Sequence, residues 1–400
     1  MGQSTSSARV LWMRVWGLAA VQGAISLTWV IYILYLDKLL IQYGFSAEFA
    51  AGLLIVENVL AAIMEPLMGT LSDRFQHWLG SRFPFIAVGL IAASACFVAV
   101  PVVLAFGSPS GIMRWLLPTA MVLWALAQTV FRSPAMSLLG RYAYATNLPR
   151  AASILTLMSS MISPLRTFAT DLILQIGPLF AFSIGSISLL VAATALGMVG
   201  PDQGLAAAHA FQENRRSTLS ASLLKLVLVF GTGIGTTMGF QFIMQALPNS
   251  LTDGALIGSK GLIGAISAAL IVTALPAGEL ATRLGNRRGI VVGLVGLVAA
   301  CGLLAIAQQQ TIGVLALAIA LGAAVSLVSN TSVPFALSMV SPQRAGLGTG
   351  IFFSGAAVGF TLFVKIKPAV TELPAMAALG GAAVYGLAAV CVMLSTRWSD

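Results

Sequence analysis

The chain has 400 residues, of which 58% are hydrophobic and only 8% charged, with a formal net charge of +9. Soluble domains carry roughly 25% charged residues, so a soluble globular protein is excluded, and the excess of Lys and Arg is dispersed between apolar runs rather than gathered on one face as a nucleic-acid surface would need. Cys96, Cys301 and Cys391 lie inside apolar runs with no CxxC or Cys/His neighbour, which argues against a disulfide framework, a zinc site or any other metal centre.

About 20 apolar residues suffice to cross a bilayer. Twelve such stretches are predicted, over 12–36, 46–71, 84–106, 112–139, 150–175, 178–200, 222–247, 255–281, 289–308, 311–339, 345–366 and 372–396. The first follows a short polar start and lacks a small-residue cleavage pattern, so it reads as a retained helix rather than a signal peptide. The longest polar segment, around Pro201 to Ser222, carries Arg215 and Arg216 and divides the spans six and six. The expected organisation is an N-terminal six-helix bundle over 1–200, a cytoplasmic linker over 201–221 and a C-terminal six-helix bundle over 222–400. Most basic residues, among them Arg9, Arg74, Arg82, Arg141, Arg150 and Arg344, fall on the side of the N-terminus, and the positive-inside rule then places both termini in the cytoplasm.

Between the second and third stretches runs Glu65-Pro66-Leu67-Met68-Gly69-Thr70-Leu71-Ser72-Asp73-Arg74, followed by Gly80-Ser81-Arg82-Phe83-Pro84. A degraded copy, Gly278-Glu279-Leu280-Ala281-Thr282-Arg283-Leu284-Gly285-Asn286-Arg287-Arg288, occupies the same place in the second half. Arg132-Ser133-Pro134 in the fourth stretch is likewise echoed by Ser332-Val333-Pro334 in the tenth. Two related halves joined by a linker are the construction of many secondary transporters. Asp73, at a helix end, can pair with Arg82 or accept from a neighbouring helix N-terminus, latching one side shut in one state and releasing it in the other; the alternative is that Asp73, Arg74 and the arginines merely anchor the hairpin at the headgroups. Thr282 stands where the second copy would need the acid, so a latch there is expected to be weaker.

Charges within spans are costly and therefore informative. At about 1.5 Å per residue Glu65 stands roughly 12 Å above Asp73, and Arg132 roughly 14 Å above Arg141, so the two share a depth and can pair. Glu57 and Arg166 both lie deeper toward the opposite face, a second conceivable pair, with Asp171 an alternative partner for Arg166. Glu65 is the carboxylate expected to couple transport to a proton or sodium ion if its occupancy changes as the halves rock, the alternative being a static Glu65–Arg132 tie; Glu57 and Arg166 are expected to serve a static or gating role. A solute site is expected near the midplane, lined by Gln22, Ser26 and Trp29 on one face of the first span, Trp124, Gln128 and Arg132 on the fourth, Gln241 and Gln245 on the seventh, and Asn330 on the tenth. Amide and indole donors beside aromatic faces suit a neutral polyhydroxylated solute, whereas a freed Arg132 would admit a carboxylate or phosphate. The alternative for each is an interhelical bond or packing. The glycines at 231, 233, 235 and 239 are no phosphate cradle, since no strand precedes them and no Lys follows.

Gly69-x-Leu71-Ser72-Asp73-Arg74 with Gly80-x-Arg82 resembles the signature hairpin of the major facilitator superfamily, and the resemblance covers essentially the whole chain. Phe83-Pro84-Phe85-Ile86 is similar to the form in sucrose transporters and glycoside-pentoside-hexuronide cation symporters. Glu65-Pro66-x-Met68-Gly69 resembles the Asp-Pro-x-x-Gly segment of the melibiose-type symporters, whose acid helps bind the coupling cation, and Arg132 after Gln128 resembles an Arg of the sucrose-transporter fourth span. Ser137 departs from relatives with an acid there, and the first span has no interior carboxylate. The resemblance implies an all-α membrane protein of twelve helices in two pseudo-symmetric bundles that works by alternating access as a cation-coupled symporter of a small polar solute, such as a sugar. The expected partners are that solute, a proton or sodium ion and the bilayer, with no nucleic acid, no cofactor and no enzymatic reaction, in a monomer. Two other readings stay open: a non-transporting assembly or pigment-delivery factor on the same scaffold, and a proton-driven exporter of an amphipathic compound.

Overall fold

The computed structural model describes residues 10–107, 110–143, 146–198, 223–250, 258–307 and 310–395. The expected linker and Arg9, Arg215 and Arg216 lie outside them. Among the described residues every regular element is helical, and twelve helices or helical groups follow one another: α1 (Trp12–Gln42), α2 (Ala47–Leu79), α3 (Phe83–Phe106), α4 (Leu116–Ser137), α5 (Leu148–Ile162), α6 (Pro178–Met198), α7 (Leu223–Ala246), α8 (Ser259–Leu284), α9 (Asn286–Ile306), α10 (Thr311–Ser338), α11 (Ala345–Val370) and α12 (Pro374–Leu394).

Local chemistry sets several of these limits. Ser46 caps α2 by accepting from the Phe49 N–H at 3.2 Å, and Glu48 sits favourably in the first turn. The same helix runs on past the expected end at 71 and stops at Gly80, whose φ of 71° is the left-handed conformation a C-terminal turn requires. Asp73 is therefore held inside a helix. The fifth span is not the continuous helix expected over 150–175: α5 ends at Ile162 because Pro164 has no N–H to continue the ladder, and two short helical pieces, Leu165–Phe168 and Thr170–Ile176, complete the crossing. Among the described residues, ten helices are long and apolar enough to span a membrane by themselves. The two that fall short are the fifteen-residue α5 and α4, whose interior carries Gln128, Thr129, Arg132 and Ser133.

Helix contacts repeat between the halves. Within the first, α1 packs on α5 and α6, α2 on α4, and α3 on α4 and α6; within the second, α7 packs on α11 and α12, α8 on α10, and α9 on α10 and α12. Each half encloses its own apolar core, one including Phe131, Leu139 and Leu189, the other Phe242, Leu294 and Phe335. Between halves, α2 lies along α11 and α5 along α8, again a symmetric pair, with smaller contacts of α4 with α11 and α5 with α10. No extensive contact joins α1 to α7.

Candidate functional site

Two of the cross-half seams are built from close backbone approach. A side-chain carbon at Gly69 would strike the Gly346 carbonyl, and one at Gly278 would lie 2.5 Å from Ser153 Cβ, so glycine lets α2 meet α11 and α8 meet α5. Further along the first seam, Ser354 donates to the Ala62 carbonyl, and Thr349 donates to the Ser133 carbonyl of α4 at 3.0 Å.

The Asp73 carboxylate lies at the end of this seam. It accepts from the Gly346 and Leu347 N–H groups, both at 2.9 Å, and pairs with Arg82, which also donates to Ser137 at the end of α4. An anion against the unpaired N–H groups of a helix N-terminus is favourably placed, so this one side chain ties α2, the start of α3 and α4 to α11 in the other half. Arg74 is exposed. The second copy is different: Thr282 bonds back to its own helix at Gly278, and Glu279 instead reaches Arg150 of α5 at 3.7 Å and Arg283 at 3.4 Å, all of them exposed. Arg287 contacts the Met339 sulfur at 3.7 Å, and Arg288 is exposed.

The structure brings Glu65 and Arg132 together. Glu65 is fully buried, and its Oε1 accepts from Arg132 Nε at 2.7 Å and Nη2 at 2.6 Å, while the guanidinium covers the Phe353 ring of α11 at 4.8 Å. Glu57 does not pair with Arg166. Its Oε1 accepts from the Tyr32 hydroxyl, and Arg166 finds Asp37 as its charged neighbour instead. The helix break at Pro164 explains the difference, since it removes Arg166 from the continuous α5 on which the depth estimate relied. Asp171 is exposed on the last helical piece of that span and forms no ion pair among the described residues.

Between the halves, beside the zipped seam, lies a cavity of about 400 Å³. Gln22 and Ser26 line it, together with Thr156, Ser159 and Ser160 of α5 and Ser163 just past its end, Thr236 and Thr237 of α7, Ser329 and Ser332 of α10, and Tyr385 of α12; Met136, Leu139, Val333, Phe352 and Phe353 supply apolar wall. Among the described residues, none that lines it is Asp, Glu, Lys or Arg. The remaining predicted solute contacts are elsewhere. Trp29 meets Tyr32 edge-on and Trp124 packs on it at a tilt, at 5.6 and 4.6 Å between ring centres, and Trp124 is completely buried. Gln128 donates to Thr28 at 3.3 Å, and Asn330 to the Ala274 carbonyl at 2.7 Å. Gln241 and Gln245 do not line the cavity. The hydroxyls that do were visible in the sequence as Thr156, Ser159/Ser160 and Ser163, spaced to share one helix face, but Ser and Thr in apolar helices commonly bond back to their own backbone and carry little signal alone.

No protein-family model matches the chain, and no curated protein matches it in sequence. Solved structures do match in shape. A major facilitator superfamily transporter, FucP, in the outward conformation aligns over 98% of this chain and 100% of its own at a TM-score of 0.71 and 12% identity. The proton:xylose symporter XylE bound to 6-bromo-6-deoxy-D-glucose aligns over 98% and 96% at 0.72 and 12%. The human organic anion transporter MFSD10 aligns over 95% and 99% at 0.69 and 16%. The chain has the major facilitator fold: twelve helices in two pseudo-symmetric six-helix bundles.

Proposed function

We propose that this protein is a secondary active transporter that works by alternating access and couples a proton or sodium ion to symport of a small uncharged polar solute of the sugar or glycoside class. The observation that carries the reading is the cavity between the halves. Thr156, Ser160, Ser163, Thr237 and Ser329 present hydroxyls to it that make no hydrogen bond among the described residues, and the Gln22 amide is likewise unengaged. Unspent donors and acceptors next to Phe240, Phe352 and Tyr385 match the alternating hydroxyls and apolar face of a pyranoside. Arg132 is spent on Glu65 outside the lining, which favours a neutral solute over an anion.

The remaining parts take the following roles. Asp73, Arg82 and the α11 N-terminus hold one end shut, and Glu279 with Arg150 and Arg283 adds a looser tie at the symmetric seam. With both termini in the cytoplasm, that shut end is cytoplasmic, and the described state faces outward. The buried charges of α2 and α4 serve the coupling ion.

Full-length protein is first screened for thermal stabilisation by a panel of neutral glycosides, polyols and organic anions, because a ligand stabilises the state it binds. Hits are then tested in proteoliposomes for solute-dependent proton or sodium flux. Stabilisation by a glycoside that also drives cation flux is expected. Stabilisation by anions alone, or uptake independent of any cation gradient, overturns the reading.

A further inference from the structure

A second, much smaller polar space lies inside the first half, away from the solute cavity. It has a volume of about 20 Å³ and is walled by Trp29, Glu57, Asn58, Gln128, Thr129 and Arg132. That is room for about one water molecule. Glu57 is 3% exposed and Gln128 is 1% exposed, and both keep a buried oxygen without a partner: Oε2 of Glu57, whose Oε1 is taken by Tyr32, and Oε1 of Gln128, whose amide nitrogen is taken by Thr28. Oε2 of Glu65 is also without a donor, but Arg132 supplies that carboxylate with a positive charge, which Glu57 lacks; such buried oxygens are rare and call for explanation.

Charge balance supplies one. The interior of α1, α2 and α4 here holds two carboxylates, Glu57 and Glu65, and one guanidinium, Arg132. Arg132 gives both of its short contacts to Glu65, and Tyr32 adds a donor but no charge. The other helix packed along α2 is α11, whose Lys365 and Lys367 lie exposed in its last turns. With every acid ionised, the cluster is left one positive charge short, and an uncompensated ion in an apolar interior is strongly disfavoured. The Arg132 guanidinium in the chamber wall repels a metal ion, which favours a proton there.

We propose that Glu57 takes up and releases the coupling proton through this one-water chamber, while Glu65 stays fixed to Arg132. In the step, Glu57 Oε2 takes one proton from the chamber water as that water takes one from hydronium of the bulk solution, leaving water in place, and the reverse transfers release the proton, so only O–H bonds are made and broken. Ser26, which lines the solute cavity, and Trp29, which lines the chamber, stand three residues apart on one face of α1, so the two spaces lie about one turn apart along that helix. The role in coupling rests on the transport reading; proton binding at Glu57 does not.

Infrared difference spectra of the full-length protein across the neutral pH range, without solute, test it. One buried carboxylic-acid band that shifts in D2O is expected in the native protein, retained in Glu65→Gln, lost in Glu57→Gln, and displaced in frequency by Glu57→Asp. The aspartate variant keeps the test decisive if the glutamine variant fails to fold. A band that survives Glu57→Gln, vanishes in Glu65→Gln, ignores Glu57→Asp or disappears on adding NaCl at fixed pH overturns the assignment. In proteoliposomes Glu57→Gln loses proton-driven accumulation but keeps solute counterflow; if no solute is carried at all, the transport reading fails while the infrared result still stands.

Discussion

The two halves share a contact plan, yet they bury different chemistry. The first encloses Glu57, Glu65 and the Asp73–Arg82 pair with a half-buried Arg132, whereas the second, among the described residues, buries one charged side chain, Lys225 in the first turn of the seventh helix, and otherwise amides and hydroxyls such as Asn330, Thr331 and Ser354. A neutral hydrogen bond in a membrane interior is worth about 1 kcal/mol and can be exchanged for another at little cost. A buried ion cannot lose its partner so cheaply. The fold thus places its buried carboxylates in one half and leaves the other, Lys225 apart, as a neutral counterpart that supplies surface, helix termini and part of the cavity between the halves.

The largest test of that contrast is Arg132→Met. Removing the guanidinium leaves Glu65 buried without its partner, which costs about 3–5 kcal/mol, while Glu65→Leu combined with Arg132→Met costs less than the single change because no orphaned charge remains. Asn330→Ala, which breaks the 2.7 Å bond to Ala274 in the second half, costs about 1 kcal/mol. Chemical unfolding monitored by helicity ranks the three. An Arg132→Met loss no greater than that of Asn330→Ala would erase the distinction between the halves.

A smaller effect separates the two ties between halves. Asp73→Asn removes the charge opposite Arg82, itself 1% exposed, and weakens the grip on the α11 N-terminus, a loss of about 3 kcal/mol from the closed end. Glu279→Gln touches only exposed ion pairs longer than 3.3 Å and changes stability by under about 0.5 kcal/mol. Labelling of a cysteine placed at Ser133, in protein lacking Cys96, Cys301 and Cys391, reads the opening: it accelerates in Asp73→Asn and is unchanged in Glu279→Gln. Equal acceleration in both would make the ties equivalent.

Much of this was legible in one dimension. Apolar runs located the spans, and distance along the helix axis sufficed to bring Glu65 to Arg132, because both helices are continuous between those residues and the hairpins that set their depth. The same arithmetic failed for Glu57 and Arg166, since Pro164 interrupts the fifth span and Tyr32 was an unranked partner on a third helix. Asp73 signalled an ionic role, but nothing local could reveal that the N–H groups donating to its carboxylate lie at residues 346 and 347. The cavity hydroxyls were the least legible: Thr156, Ser160 and Ser163 look like any other small polar residues until the opposite half shows which face it leaves uncovered.

The least disruptive comparison uses the glycines at matching positions in the two hairpin helices. At Gly69 an added methyl meets backbone, the carbonyl of Gly346, which is already glycine and has nothing left to trim. At Gly278 it meets the Ser153 side chain, 2.5 Å from Cβ and 2.7 Å from Oγ, with the Pro149 carbonyl farther off at 3.2 Å. Gly69→Ala therefore pries α2 from α11 at about 2 kcal/mol, and no side-chain change across the seam relieves it. Gly278→Ala costs about 1–2 kcal/mol alone, and Ser153→Gly in the same chain recovers most of it. Thermal unfolding of the two single variants and the double decides the matter. If Ser153→Gly fails to rescue Gly278→Ala, the α5–α8 seam is fixed by backbone contact as rigidly as the α2–α11 seam, and the asymmetry between the halves is confined to their charges.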